Sequence, residues 1–132
     1  MQAQASPAAP VRVFVVEDSE QVRRRLDALI AQAGAQTAGH AEAVGAATLA
    51  ILETHPDVVI LDLQLADGSG FDVLRAVHDA APEIDVYLFT NHAADPYRQL
   101  AERLGARGFF DKSKDFERVR EVLAERRNAL CH

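Results

Sequence analysis

The chain alternates short, continuous apolar runs with longer stretches in which apolar residues recur every three or four positions. Val11, Val13, Phe14, Val15 and Val16 form a β-branched run that predicts a buried strand. Ser19 stands where a helix N-cap belongs. Val22, Leu26, Leu29, Ile30 and Ala33 follow at helical spacing, and Gly34 ends the helix. Gln36–Ala41 reads as a weak strand. Val44, Ala47, Thr48, Ile51 and Leu52 mark a second helix, closed by Pro56. Val58–Leu61 is apolar at every position, the pattern of a parallel strand covered on both faces. Asp67-Gly68-Ser69-Gly70 is turn chemistry, and Val73, Leu74 and Val77 predict a third helix ending near Pro82. Residues 86–89 read as a fourth strand. Asp95-Pro96 reads as an N-cap followed by the first residue of a fourth helix carrying Tyr97, Leu100 and Leu104. Residues 108–110 make a short fifth strand, and Phe116, Val119, Val122 and Leu123 line a last helix.

Five strand–helix units in strict alternation predict an α/β fold with a five-stranded parallel sheet and five helices. Right-handed crossovers leave few arrangements. Five units in about 120 residues suit the doubly wound, flavodoxin-like strand order 2-1-3-4-5, whose ligands bind beyond the carboxyl ends of the strands. At 132 residues the chain is expected to be one domain, spanning 11–127 between a mobile N-terminal tail at 1–10 and a C-terminal tail at 128–132.

Composition narrows the function. Hydrophobic residues make up 48% and charged residues 26%, which excludes collagen-like and disordered chains. The single cysteine, Cys131, cannot form an internal disulfide, so a reducing cytoplasm is expected. Residues 1–10 have neither a basic start nor an apolar core, and the apolar runs are too short to span a bilayer, so neither secretion nor membrane insertion is expected. A net charge of −6 argues against direct nucleic-acid binding. The charge is uneven: residues 1–97 carry five basic and 14 acidic side chains, whereas residues 98–132 carry nine and six. The basic excess is either the solvated face of the terminal helices or a partner surface.

The candidate chemistry lies at strand ends. Glu17 and Asp18 follow the first strand, Asp62 the third, Thr90 the fourth and Lys112 the fifth. Singly, such residues serve as caps, turns or solvated charges. In a parallel sheet they share one edge and can converge. Three carboxylates there repel, each pair at about 4 Å costing roughly 4 kcal/mol at an effective dielectric near 20. A divalent cation removes that cost, and oxygen ligands without His or Cys point to Mg2+. With the Lys112 ammonium and the Thr90 hydroxyl, Asp62 becomes a candidate nucleophile for phosphoryl transfer.

These segments resemble the receiver domain of two-component response regulators. VVEDS at 15–19, VVILDLQLADGSGFDVL at 58–74, LFTN at 88–91 and GFFDKS at 108–113 carry the resemblance. It implies that Glu17 and Asp18 hold Mg2+ together with Asp62 and the backbone carbonyl of Gln64. Asp62 is the implied phosphorylation site, fed by a sensor histidine kinase or a histidine phosphotransfer protein. Thr90 and Lys112 are implied to bind phosphoryl oxygens, and Thr90 and Phe109 to form the switch. Gln64, Asn91 and His92 occupy positions implied to tune phosphoryl lifetime. Ala66 and Ser113 stand where proline is usual, and Asn91 where a small residue is usual.

The resemblance implies a stand-alone receiver that catalyses its own phosphorylation and slow dephosphorylation, rather than a conventional turnover enzyme. It further implies a downstream protein target met through the fourth helix, fifth strand and fifth helix, and phosphorylation-linked homodimerisation. Two readings compete with it. One is a receiver-like interaction module that works without phosphorylation. The other is an aspartate-nucleophile phosphatase, disfavoured because the acid/base position two residues after Asp62 holds Gln64.

Overall fold

A computed structural model describes residues 10–91 and 94–130. Five strands form one parallel sheet: β1 (Arg12–Val16), β2 (Gln36–Ala41), β3 (Val58–Leu61), β4 (Asp85–Thr90) and β5 (Gly108–Asp111). Their spatial order is β2-β1-β3-β4-β5, the predicted doubly wound arrangement. Five helices alternate with them: α1 (Glu20–Gln32), α2 (Val44–Thr54), α3 (Gly70–Ala80), α4 (Asp95–Arg103) and α5 (Phe116–Leu130). Among the described residues no helix is long and apolar enough to cross a membrane.

Side chains alternate across the pleat, so each strand feeds two cores. Val13, Val15, Val58, Ile60, Phe89 and Phe110 pack with Leu26 and Ile30 of α1 and with Val119 and Leu123 of α5. Phe14, Val16, Val59, Leu61, Leu88 and Phe109 pack against Ala47 and Ile51 of α2, Val73, Leu74 and Val77 of α3, and Ala101 of α4. Burial on both faces explains why β3 shows no polar alternation.

Three local readings change. Ala94 caps α4, with Asp95 as its first residue and Pro96 inside the first turn. A proline is tolerated there because the first-turn N–H groups have no intrahelical partner in any case. The C-terminal tail expected from residue 128 is helical up to Leu130. Neither Gly nor Pro interrupts the chain between Phe116 and Leu130, so nothing stops α5 at residue 127. The turn after β3 contains a two-residue antiparallel hairpin, in which Gln64 pairs with Ser69 and Leu65 with Gly68.

Candidate active site at the carboxyl edge of the sheet

The parallel ladders run one rung beyond the strands, and those rungs hold the site. The Glu17 N–H donates to Ala41 O at 3.0 Å, Asp62 N–H to Val16 O at 2.9 Å, and Lys112 N–H to Thr90 O at 3.0 Å. Each functional side chain thus leaves a backbone already fixed by its neighbouring strand. Glu17, Asp62 and Thr90 are the buried polar residues among those described, and Asp18 is exposed.

Lys112 lies between two of the carboxylates. Its Nζ is 2.6 Å from Glu17 Oε1, as an ion pair outside hydrogen-bond geometry, and donates to Asp62 Oδ2 at 3.1 Å. Glu17 Oε2 accepts the Ser19 N–H at 3.1 Å. Asp62 Oδ1 accepts only a long 3.3 Å contact from the Gln64 N–H. Burial pushes the Glu17 carboxyl up, partly offset by Lys112. Burial also acts to lower Lys112, but Glu17 and Asp62 outweigh it and the ammonium is raised overall. Lys112 therefore stays charged at neutral pH, and its contribution to stability is lost only above its raised value. A raised Glu17 stabilises the fold while protonated, and that contribution is lost as pH rises through its folded value.

One oxygen from each of Glu17, Asp18 and Asp62 lies within 4.8 Å of the other two. Glu17 Oε1 is buried, with the Lys112 ammonium at 2.6 Å. An all-oxygen donor set of which one member stays exposed suits Mg2+, which keeps several of its waters. With Mg2+ at a hundredfold excess over Kd, the fold should gain about 2.7 kcal/mol. The gain should grow from acid to neutral pH as Glu17 ionises, and shrink in Asp62→Asn. Thermal scans with and without Mg2+ check this; an unchanged midpoint contradicts the metal site.

The loop after Asp62 is fastened on both sides. Gly70 N–H donates to Leu63 O at 2.7 Å, and a Cβ at Gly70 would lie 2.2 Å from the Asp62 carbonyl oxygen. Asp67 points away from the site, its Oδ1 accepting the Val44 N–H at 2.8 Å. It caps α2 from outside, where Ala43 offers no side-chain oxygen. Asp67→Ala should cost about 1 kcal/mol as a lost cap. A denaturant midpoint unmoved by the substitution would contradict the cap.

Thr90 and Phe109 face the same core. Leu88 pairs with Phe109, and Thr90 lies two residues beyond Leu88 on the same face. The Phe109 ring is buried, with the Arg98 guanidinium 4.8 Å from its centroid and Arg98 Nη1 donating to Phe109 O at 3.2 Å. This cover over the ring was not legible in the sequence, because Arg98 differs in nothing from other surface arginines. Gln64 is exposed beside a groove of about 300 Å³ lined by Leu63, Gly68, Ser69, Phe71 and Tyr97. Asn91 is exposed in the bend after β4, and His92 lies outside the described residues. His40 and His55 are paired with Asp27 at 3.1 Å and Glu83 at 2.8 Å.

The chain is 34% identical over 114 residues to the DNA-binding transcriptional activator DevR/DosR of Mycobacterium tuberculosis, covering 85% of this chain and 52% of that protein. It is 28% identical over 122 residues to the response regulator GacA of Pseudomonas aeruginosa, covering 89% and 57%. The chain thus spans little more than half the length of these two relatives. Among solved structures, the receiver domain of a putative LuxO repressor from Vibrio parahaemolyticus superposes with a TM-score of 0.82 at 25% identity, covering 92% and 93%. A CheY-like receiver from Methanospirillum hungatei gives 0.82 at 17% identity over 92% and 97%, a likeness of fold alone. The profile of the response regulator receiver domain matches residues 13–124, from the second residue of β1 into α5, and on that match the chain belongs to the receiver-domain family of two-component response regulators.

Proposed function

We propose that this chain is a phosphoacceptor in a two-component phosphorelay. The observation that carries the reading is the Asp62 carboxylate, buried at the end of β3 with Lys112 Nζ at 3.1 Å. An Asp62 oxygen attacks the phosphorus of a phosphohistidine on a sensor histidine kinase or a histidine phosphotransfer protein. The O–P bond forms as the P–N bond breaks, and the imidazole leaves with the electron pair. Lys112 and the Thr90 hydroxyl meet the phosphoryl oxygens, supplying fixed charge and a donor where negative charge collects. Glu17, Asp18, Asp62 and the Gln64 carbonyl would hold Mg2+, which supplies further neutralisation of the carboxylates and of the phosphoryl group.

The readout we assign to this site runs through α4, β5 and α5. Movement of Thr90 toward the phosphoryl group opens space on the face it shares with Phe109. Ala101 is the only fully buried side chain of α4, so few apolar contacts oppose a shift of that helix. Phe109 is buried, which favours an inward population of its ring. A downstream protein or a second copy of the chain then reads the altered face. We assign the reaction to the cytoplasm.

The chain is incubated with acetyl phosphate and Mg2+ and weighed by mass spectrometry. A gain of about 80 Da, removed by omitting Mg2+, is the expected result. An unchanged mass overturns the proposal in favour of phosphorylation-independent binding.

Gln64, Asn91 and His92 are proposed to set the lifetime of the phosphoryl group. In-line attack by water needs an approach of about 3–3.5 Å, and Asn91 is proposed to obstruct it. Asn91→Ala should speed both uptake from acetyl phosphate and decay after donor removal. Decay no faster than wild type would contradict the obstruction.

A further inference from the structure

We infer that Asp111 is a positioning residue for Lys112, acting through a carboxylate clasp that closes on Ser113. Asp111 Oδ1 accepts the Ser113 N–H at 2.8 Å and the Ser113 Oγ–H at 2.5 Å. Lys112 is the one residue enclosed by this ring. On the other side, its own N–H donates to Thr90 O at 3.0 Å. The peptide units before and after the Lys112 Cα are thereby both held, which sets the direction in which the side chain departs.

The clasp is itself anchored. Asp111 N–H donates to Asp115 Oδ2 at 2.9 Å, and Asp111 O accepts the N–H groups of Lys114 at 3.2 Å and Asp115 at 2.8 Å. The turn leading into α5 is thus tied back to the end of β5. Asx-type turns of this kind are local and form wherever an Asp precedes a free N–H by two residues. Here the turn encloses the residue whose Nζ must lie between Glu17 and Asp62, at 2.6 and 3.1 Å. A lysine has four rotatable side-chain bonds. Without a fixed origin its ammonium spreads over a volume much wider than those two contacts allow. Hydrogen bonding to Ser113 holds the Asp111 carboxyl below the usual range, consistent with an ionised acceptor in the clasp.

The inference rests on the proposed role of Lys112 at the phosphoryl group, and the test separates the two. Rates of phosphoryl uptake from acetyl phosphate with Mg2+ are measured for Asp111→Ala, Asp111→Asn, Lys112→Ala and the double variant Asp111→Ala/Lys112→Ala. Circular dichroism confirms that each is folded. Misplacing a reacting group by about an ångström can cost on the order of a hundredfold, so Asp111→Ala should slow uptake roughly ten- to a hundredfold. Asp111→Asn keeps a side-chain oxygen for the Ser113 N–H and should stay within roughly threefold of wild type. In the Lys112→Ala background, Asp111→Ala should add nothing, since the group it positions is gone. Equal slowing by Asp111→Ala in both backgrounds means general damage and overturns the inference. A wild-type rate in Asp111→Ala, with Lys112→Ala slow, overturns it and leaves the role of Lys112 standing. A wild-type rate in Lys112→Ala overturns that role and the clasp with it.

Discussion

Asp62→Ala should take up no phosphoryl group under conditions expected to label the wild-type chain, with no neighbouring carboxylate substituting for it. Glu17 is the nearest rival, closer to Lys112 than Asp62 is. Yet Glu17 is only 2% exposed and its second oxygen is committed to the Ser19 N–H, so a donor phosphorus cannot reach it in line. Asp18 is exposed but is not among the carboxylates paired with Lys112. Asp67 is turned to the end of α2. Asp62, 7% exposed, combines a weakly engaged oxygen with a cation on the other oxygen. Intact-mass measurement should show the full loss of the gain of about 80 Da. Peptide mapping of the wild type that placed phosphate on Asp18 or Asp67 would contradict the assignment.

Gly70→Ala should be the most damaging methyl group that can be added near the site. Its Cβ would sit 2.2 Å from Asp62 O and 3.0 Å from the Leu63 Cα, both main-chain atoms that cannot swing aside. The backbone carrying the phosphoacceptor has to move. Overpacking of this kind costs about 3 kcal/mol, or roughly 10 °C in Tm for a domain of this size. Phosphoryl uptake should fall by on the order of a hundredfold through misplacement of Asp62. Gly45→Ala provides the contrast, because no atom lies within 4 Å of a Cβ there. In the first turn of α2 it should gain about 0.5 kcal/mol. Thermal melts and uptake rates of the two variants measure both effects; a Gly70→Ala protein with wild-type values would show that the loop gives way freely.

The site was unusually legible because a parallel sheet collects strand ends. Val13–Val16 and Val58–Leu61 are recognisable as buried strands from apolar content alone, and parallel pairing then brings the residues after them to one edge. Short turns were less legible. Asp67 was readable as a turn residue, but not that it caps α2, 23 residues earlier in the chain. The clasp at Asp111 and Ser113 has a sequence signal, Asp followed two residues later by a residue with both N–H and hydroxyl. That signal acquires meaning only when the enclosed lysine is seen to reach Asp62.

The sequence by itself determined the order of the elements, the five-stranded α/β class and the candidate polar residues at the strand ends. Those properties depend on local periodicity and on residue type, which neighbours in the chain express directly. Only the tertiary structure decided how charge is shared at the edge, with one ammonium serving two carboxylates while the third faces solvent. Tertiary packing also decided that Phe109 lies inward beneath Arg98, and that Gly70 is the only residue type able to pass the Asp62 carbonyl. These are contacts between segments 8 to 95 residues apart in the chain. Their energies depend on distance and burial, and neither exists until the sheet has closed.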